Sequence, residues 1–216
     1  MTDPNLTAKR REEEKEQRRQ SILDAAERGI ALKGFDGLTM GDVAKEARLS
    51  RGLVYFYFQD KVDLFNGLAH RAIVELVDRF EEAVARHDAG HAQIKAIGQA
   101  YIQFAHSRPV PFAALARFET RQLNPKEVDH HAAAALQETK ATLQVMMRAI
   151  QTGQADGSVR ESLDPLMTAV SLWGFIHGMI QVAAMKGAMF EQNFGFDTSA
   201  LMEHAFEMAG LALSPS

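Results

Sequence analysis

Apolar residues recur along this chain three and four positions apart, and no stretch sustains the alternation of a half-buried strand, so the pattern predicts helices alone. The first clear stripe runs through Ile22, Leu23, Ala25, Ala26, Gly29, Ile30 and Leu32 and halts at Gly34, a residue suited to the position just past a helix end. Ahead of it, residues 7–19 are almost wholly charged, with opposite signs at helical spacing in Arg10/Glu14 and Glu14/Arg18, which describes a solvated helix or an arm. Thr39 and Asp42 have the spacing of a capping box and open a short helix at about 40–47. Ser50 is the next natural cap and opens 51–58. Asp60 with Asp63 repeats the device and starts a long amphipathic helix through Leu64, Leu68, Ile73, Leu76 and Phe80. Two short capped helices joined by a tight turn predict a helix-turn-helix. Longer helices follow at 91–107, 110–122, 125–153, 165–187 and 198–213, where Asn124-Pro125 and Asp164-Pro165 each pair a cap with a first-turn proline. The expected fold is all-α, with a charged extension over 1–19, a helix-turn-helix domain over 20–64 and a larger helical domain over 65–216.

Composition narrows the function. Across 216 residues there is no cysteine, which excludes a disulfide scaffold and a Cys-ligated metal site. The apolar run 169–184 is broken by Ser171, Gly174, His177, Gly178 and Gln181, and the chain opens on no apolar leader, so a cytoplasmic protein outside the membrane is expected. The net charge of −4 does not advertise a nucleic-acid partner. The balance is uneven, though: residues 1–61 carry twelve Lys and Arg against eleven Asp and Glu, and the remainder twelve against seventeen.

Within the helix-turn-helix, Leu38, Val43, Ala44, Ala47, Leu49, Val54 and Phe58 supply a small core, and the polar and other aromatic positions face outward. Ser50 and Arg51 in the first turn of the second helix suit insertion of its amino end into a major groove, where arginine can pair with both guanine O6 and N7. Thr39, Tyr55, Tyr57 and Lys61 offer hydroxyls and an ammonium to the flanking phosphates. The run T-x-x-D-V-A-x-x-A-x-L-S-x-G-x-V-Y-x-Y-F-x-x-K-x-x-L, from Thr39 to Leu64, resembles the N-terminal signature of the tetracycline-repressor (TetR) family of bacterial regulators. The resemblance implies a homodimeric DNA-binding repressor whose C-terminal domain binds a small ligand and dimerises through its last two helices. It assigns backbone contacts to Thr39, Tyr55, Tyr57 and Lys61, and base-edge or groove contacts to Arg51 and Leu53. Two positions depart from the family pattern. Arg48 stands where a turn glycine is common, so either the turn avoids a left-handed conformation or the arginine bears about 1 kcal/mol of strain. Gly41 stands where many relatives present a side chain to DNA, which concentrates base readout on Arg51, Leu53 and Phe56. The basic residues of the arm (Lys9, Arg10, Arg11, Arg18 and Arg19) either add DNA contacts or only solubilise the helix beside Glu12, Glu13, Glu14 and Glu16.

The helix at 165–187 is apolar on several faces and so is buried on several sides. With the last helix it is expected to form a homodimer interface in which Gly174, Gly178, Ala184 and Ala209 permit close approach. Candidates for an apolar effector pocket are Phe104, Phe112, Arg117, Phe118, Met146, Met147, Trp173 and His177. Of these, Arg117 is the residue to receive an anionic group, and His177 reads first as a hydrogen-bonded interior histidine. No cofactor is expected. No phosphate loop, nucleophile elbow or His-Glu-x-x-His run occurs, and only Glu127-Val128-Asp129-His130 has di-iron spacing, so no enzyme is expected. Asp129, His130 and His131 form one metal-like grouping, read as solvated surface residues. The expected function is a ligand-responsive transcriptional regulator, most simply a repressor, that binds a palindromic operator as a dimer and is released by a small hydrophobic effector. The competing readings are a helical ligand carrier or interaction protein that leaves DNA alone, and a metal-responsive regulator.

Overall fold

A computed structural model of the chain describes residues 4–121 and 129–215. Among these residues every regular element is a helix: α1 (Pro4–Gly37), α2 (Met40–Glu46), α3 (Arg51–Tyr57), α4 (Lys61–Val84), α5 (Gly90–Ser107), α6 (Pro109–Glu119), α7 (His130–Asp156), α8 (Pro165–Phe194) and α9 (Thr198–Leu213). They fall into two compact units, one of residues 1–72 with 109–136 and the other of 73–108 with 137–216. The first unit therefore takes in α6 and the start of α7 as well as the helix-turn-helix.

The expected caps at Gly34, Thr39, Ser50 and Asp60 are used. At Gly34 the backbone turns to φ 71°, ψ 169°, so the regular run of α1 ends at Lys33. Thr39 Oγ1 accepts from the Asp42 N–H at 3.1 Å while Asp42 Oδ2 accepts from the Thr39 N–H at 3.0 Å, a complete capping box for α2. Ser50 Oγ accepts from the Leu53 N–H at 3.2 Å and starts α3. Asp60 Oδ1 accepts from the N–H groups of Val62 and Asp63. Asp63, instead of completing a box, reaches back to the Gln59 N–H at 2.8 Å. Between these helices lies one apolar core of Ile22, Leu23, Ala26, Leu38, Val43, Val54, Phe58, Leu64 and Leu68, joined by Ala114 of α6. Burying a side chain such as Phe58 stabilises the unit by about 1.5–3 kcal/mol.

In the second unit α8 and α9 pair, and each also packs on α5. Tyr101 and Phe80 meet edge to face at 6.1 Å in its core. Two helix ends depart from expectation. α7 begins at His130 because Asp129 Oδ1 accepts from the Ala132 N–H at 2.7 Å; the expected cap at Asn124-Pro125 lies outside the described residues. α8 continues about two turns beyond 187, since Gly187 stays helical and the stop comes at Gly195, at φ 74°. Asp197 then caps α9.

Candidate nucleic-acid interface and effector cavity

The local chemistry of α2 and α3 leaves a particular set of side chains free. Lys33 donates to Asp42 Oδ1 at 2.5 Å and Arg28 to Glu46 Oε1 at 2.7 Å, so two basic residues bordering the motif are neutralised. The Lys33 ammonium and the Thr39 hydroxyl and N–H hold the Asp42 carboxyl at a pKa of about 2, so the cap of α2 stays charged far into acid. Among the described residues Lys45, Arg48 and Arg51 make no ion pair or side-chain hydrogen bond, and all three are exposed. Lys45 and Arg48 escape sequence reasoning because exposure and partner choice depend on where α1 lies. Arg48 adopts φ 55°, the only positive φ of a non-glycine among the described residues. The turn is thus left-handed, and the strain alternative holds.

The expected DNA-facing residues divide into three groups. Arg51, Tyr55 and Phe56 are exposed, Tyr55 at 49% and Phe56 at 73%, an uncommon exposure for aromatic side chains in a well-packed unit. Leu53 and Tyr57 are half-buried; Tyr57 packs on the core and meets Phe56 edge to face at 5.3 Å. Thr39, Ser50 and Lys61 already have partners. The first two cap helices, and the Lys61 ammonium donates to the Asp36 carbonyl at 2.9 Å and lies 5.6 Å over the Phe65 ring. Phe58 is wholly buried and is purely a packing residue. In the arm, Lys9, Arg10, Lys15 and Arg19 pair with glutamates three or four residues away.

Behind the helix-turn-helix lies a polar cluster. His131 is buried, not solvated as its sequence context suggests: its ring stacks on Phe58 at 4.9 Å, its Nδ1 lies 2.5 Å from Asp63 Oδ1, and its Nε2 accepts from Arg19 Nε at 3.2 Å. Burial raises the Asp63 pKa, but the His131 ring and the Gln59 N–H outweigh it and the net shift is downward. Asp63, Asp129 and His131 bring ligand atoms within 4.8 Å of one another. That set suits a divalent ion poorly. Asp129 already accepts from Asn66 at 2.6 Å and from a backbone N–H, and the Arg19 Nε–H occupies the imidazole Nε2 lone pair. The Glu127-to-His130 spacing lies outside the described residues in its first half.

The pocket candidates are divided between the two units. Phe112, Arg117 and Phe118 belong to the first unit, and the other five to the second. Arg117 is exposed, pairs with Asp36 at 3.3 Å and lies 5.0 Å over the Phe35 ring, so its charge serves a surface contact. Phe104 is fully buried core. His177 is hydrogen-bonded to the Tyr101 hydroxyl through Nδ1 at 2.7 Å, and burial lowers its pKa, which keeps the ring neutral. Of the eight, Met146 alone lines the cavity found in the second unit, which lies among α5, α7, α8 and α9. Ile94, Leu172, Phe175, Ile176 and Phe206 form its apolar wall, and His91 and Lys95 are its polar residues. It holds about 60 Å³, far below the roughly 300–1,000 Å³ of a drug-sized pocket.

A capped, exposed recognition helix ahead of a helical ligand-type domain defines a helix-turn-helix regulator. Residues 22–68 match the family model described as bacterial regulatory proteins, tetR family. Residues 94–209 match the tetracyclin repressor-like C-terminal domain, more than half of the chain. The chain belongs to the TetR family of transcriptional regulators. It is 23% identical to the regulator TtgR of Pseudomonas putida over 80% of this chain and 83% of that one. It is 39% identical to AcrR of Shigella flexneri over 27% of each chain. Thus the match to AcrR spans about a quarter of that relative, and the match to YfiR of Bacillus subtilis 43% of its length. Among solved structures, FadR of Bacillus subtilis in complex with stearoyl-CoA superposes with a TM-score of 0.69 at 21% identity, over 90% of this chain and 98% of that one. A Rhodococcus protein of unknown function gives 0.73 at 23% identity, over 91% and 95%.

Proposed function

We propose that the protein is a repressor that binds a near-palindromic operator as a homodimer and is released by a small apolar effector. The observation that carries the reading is the amino end of α3, where a Ser50-capped first turn presents Arg51, an exposed arginine with no partner among the described residues. Inserted in a major groove, Arg51 reads a guanine, with Leu53 and Phe56 beside it. Thr39, Tyr55, Tyr57 and Lys61 hold the phosphates, joined by the unpaired Lys45 and Arg48. Two copies must place their α3 helices about 34–36 Å apart to enter successive grooves of one face.

The dimer reading is supported by α8. Leu166, Val170, Gly174, Gly178, Val182, Met185 and Met189 succeed one another at three- and four-residue steps, and the five large apolar side chains among them are exposed. A Cβ added at either glycine would meet nothing within 4 Å, so the middle of the stripe is open to a second backbone. α8 is also long and apolar enough to cross a membrane. A bundle partner accounts for it better, because Met208 and Leu211 of α9 are exposed as well, at 52% and 75%. We assign the effector to the α5/α7/α8/α9 cavity; FadR of Bacillus subtilis, which shares this fold, was solved in complex with stearoyl-CoA, a ligand that carries a long apolar chain. The effector lowers operator affinity only by its differential affinity for the two states of the dimer.

The test is selection of bound sequences from a random duplex pool by the full chain, repeated with Arg51→Ala. An inverted repeat with half-sites one helical turn apart is expected. Arg51→Ala should keep the fold and lose about 1–3 kcal/mol of discrimination at one base pair in each half-site. Recovery of no consensus by the wild-type chain at low salt would reject DNA recognition.

A further inference from the structure

Arg51 extends from α3 across the start of α2, and Gly41 lies beneath it. An ideal Cβ built on Gly41 would stand 2.9 Å from Arg51 Nη2 and 3.2 Å from both Cζ and Nε. The first separation is one that a real Cβ essentially never shows and the other two are tighter than most, so the guanidinium rests over the bare Cα and must shift by a few tenths of an ångström once position 41 carries a side chain. Gly41 has no positive φ, so its backbone does not require glycine. The contact also involves the far end of a flexible chain and no backbone atom. Gly90 provides the contrast: a Cβ there would meet the Gly153 backbone nitrogen at 2.0 Å and force helices apart.

We propose that Gly41 is a specificity-determining position, a shelf that fixes the direction of the Arg51 guanidinium and thereby selects the base that Arg51 reads. The inference rests on the DNA reading above and adds to it a residue that presents no group of its own to DNA. Its physical basis is the geometry of bidentate readout. The two donors of the guanidinium fork must meet O6 and N7 together, in one plane, which a displaced fork cannot do. Because the Arg51 side chain makes no ion pair or hydrogen bond among the described residues, its packing over Gly41 is the contact that bears on its direction before DNA arrives. A methyl group at 41 pushes the fork off the shelf, leaves its charge in place, and costs the fold nothing.

The experiment compares the wild-type chain, Gly41→Ala, Arg51→Ala and the double variant. Each is used to select from a random duplex pool and is then titrated against the recovered duplex and its single-base-pair variants at several salt concentrations. Gly41→Ala is expected to melt no lower than the wild type and to keep its non-specific affinity and salt slope, since no phosphate-neutralising charge is lost. At the base pair whose preference disappears in Arg51→Ala, it should lose roughly 5- to 100-fold of discrimination. In the Arg51→Ala background the same substitution should change nothing. Wild-type discrimination retained by Gly41→Ala overturns the proposal. So does an equal loss in both backgrounds, which would mean that the new methyl itself strikes the DNA. Failure of the wild type to recover any consensus overturns the DNA reading and this inference with it, and is distinguishable because it arises before the variants are compared.

Discussion

At the turn between α2 and α3, an arginine holds a conformation that glycine adopts without cost. Arg48, at φ 55°, follows α2, and its own N–H donates to the Lys45 carbonyl at 3.2 Å while the Leu49 N–H reaches back to Ala44 at 2.9 Å. The hydrogen bonds close the turn well, so the strain is steric, between Cβ and the neighbouring carbonyl, and amounts to about 1–2 kcal/mol. Relief of it is partly offset by the greater freedom of glycine in the unfolded chain. Arg48→Gly should therefore raise stability by about 0.5–1 kcal/mol in denaturant titration, while Arg48→Ala, which keeps the Cβ, should raise it hardly at all. Equal effects of the two would place the cost in charge repulsion among Lys45, Arg48 and Arg51 instead of in the backbone. If the strained residue is retained because its cation binds phosphate, Arg48→Gly should also lower the salt slope of DNA binding by about one.

Caps, and the short helices they delimit, are governed by neighbours in the chain, which is why α2, α3 and the packing role of Phe58 are legible in the sequence. The cluster around His131 was not legible. Its partners Asp63 and Arg19 are 68 and 112 residues away, and nothing beside His131 in the chain marks it for burial. Arg117 misleads in the opposite sense: it sits in an apolar helix, yet its side chain leaves the core to lie on Phe35. The end of α8 lies beyond the expected 187 because Gly187 is buried and helical in the fold, with Thr198 close beside it. For the His131 cluster the structure makes a definite energetic claim. His131→Phe preserves the stack on Phe58 and strips a buried carboxylate, Asp63 at 7% exposure, of its imidazole partner. The expected loss is about 1.5–3 kcal/mol, and pairing the change with Asp63→Asn should recover part of it. Wild-type stability in His131→Phe would show that the ring stack alone holds the end of α3.

For the whole molecule, under the proposed dimeric operator binding, the exposed apolar stripe of α8 and the spacing of two half-sites constrain each other. A single recognition helix makes too few phosphate and base contacts for operator affinity, whereas two copies linked at a fixed spacing turn the second half-site into an intramolecular event. The stripe from Leu166 to Met189, with the vacant space over Gly174 and Gly178, is where such a link finds apolar area without displacing anything that holds the protomer together. A charge placed there should act on assembly and leave the protomer folded. Val182 is 40% exposed and Met185 72%, so Val182→Glu with Met185→Glu should move the sedimentation coefficient from dimer to monomer with the melting of the helix-turn-helix unit unchanged. Operator affinity should fall by roughly 10²–10⁴-fold, while affinity for a single half-site, weak to begin with, stays within a few-fold. A dimer that survives both glutamates would move the interface off this stripe, and a monomer that retains full operator affinity would remove the need for a dimer.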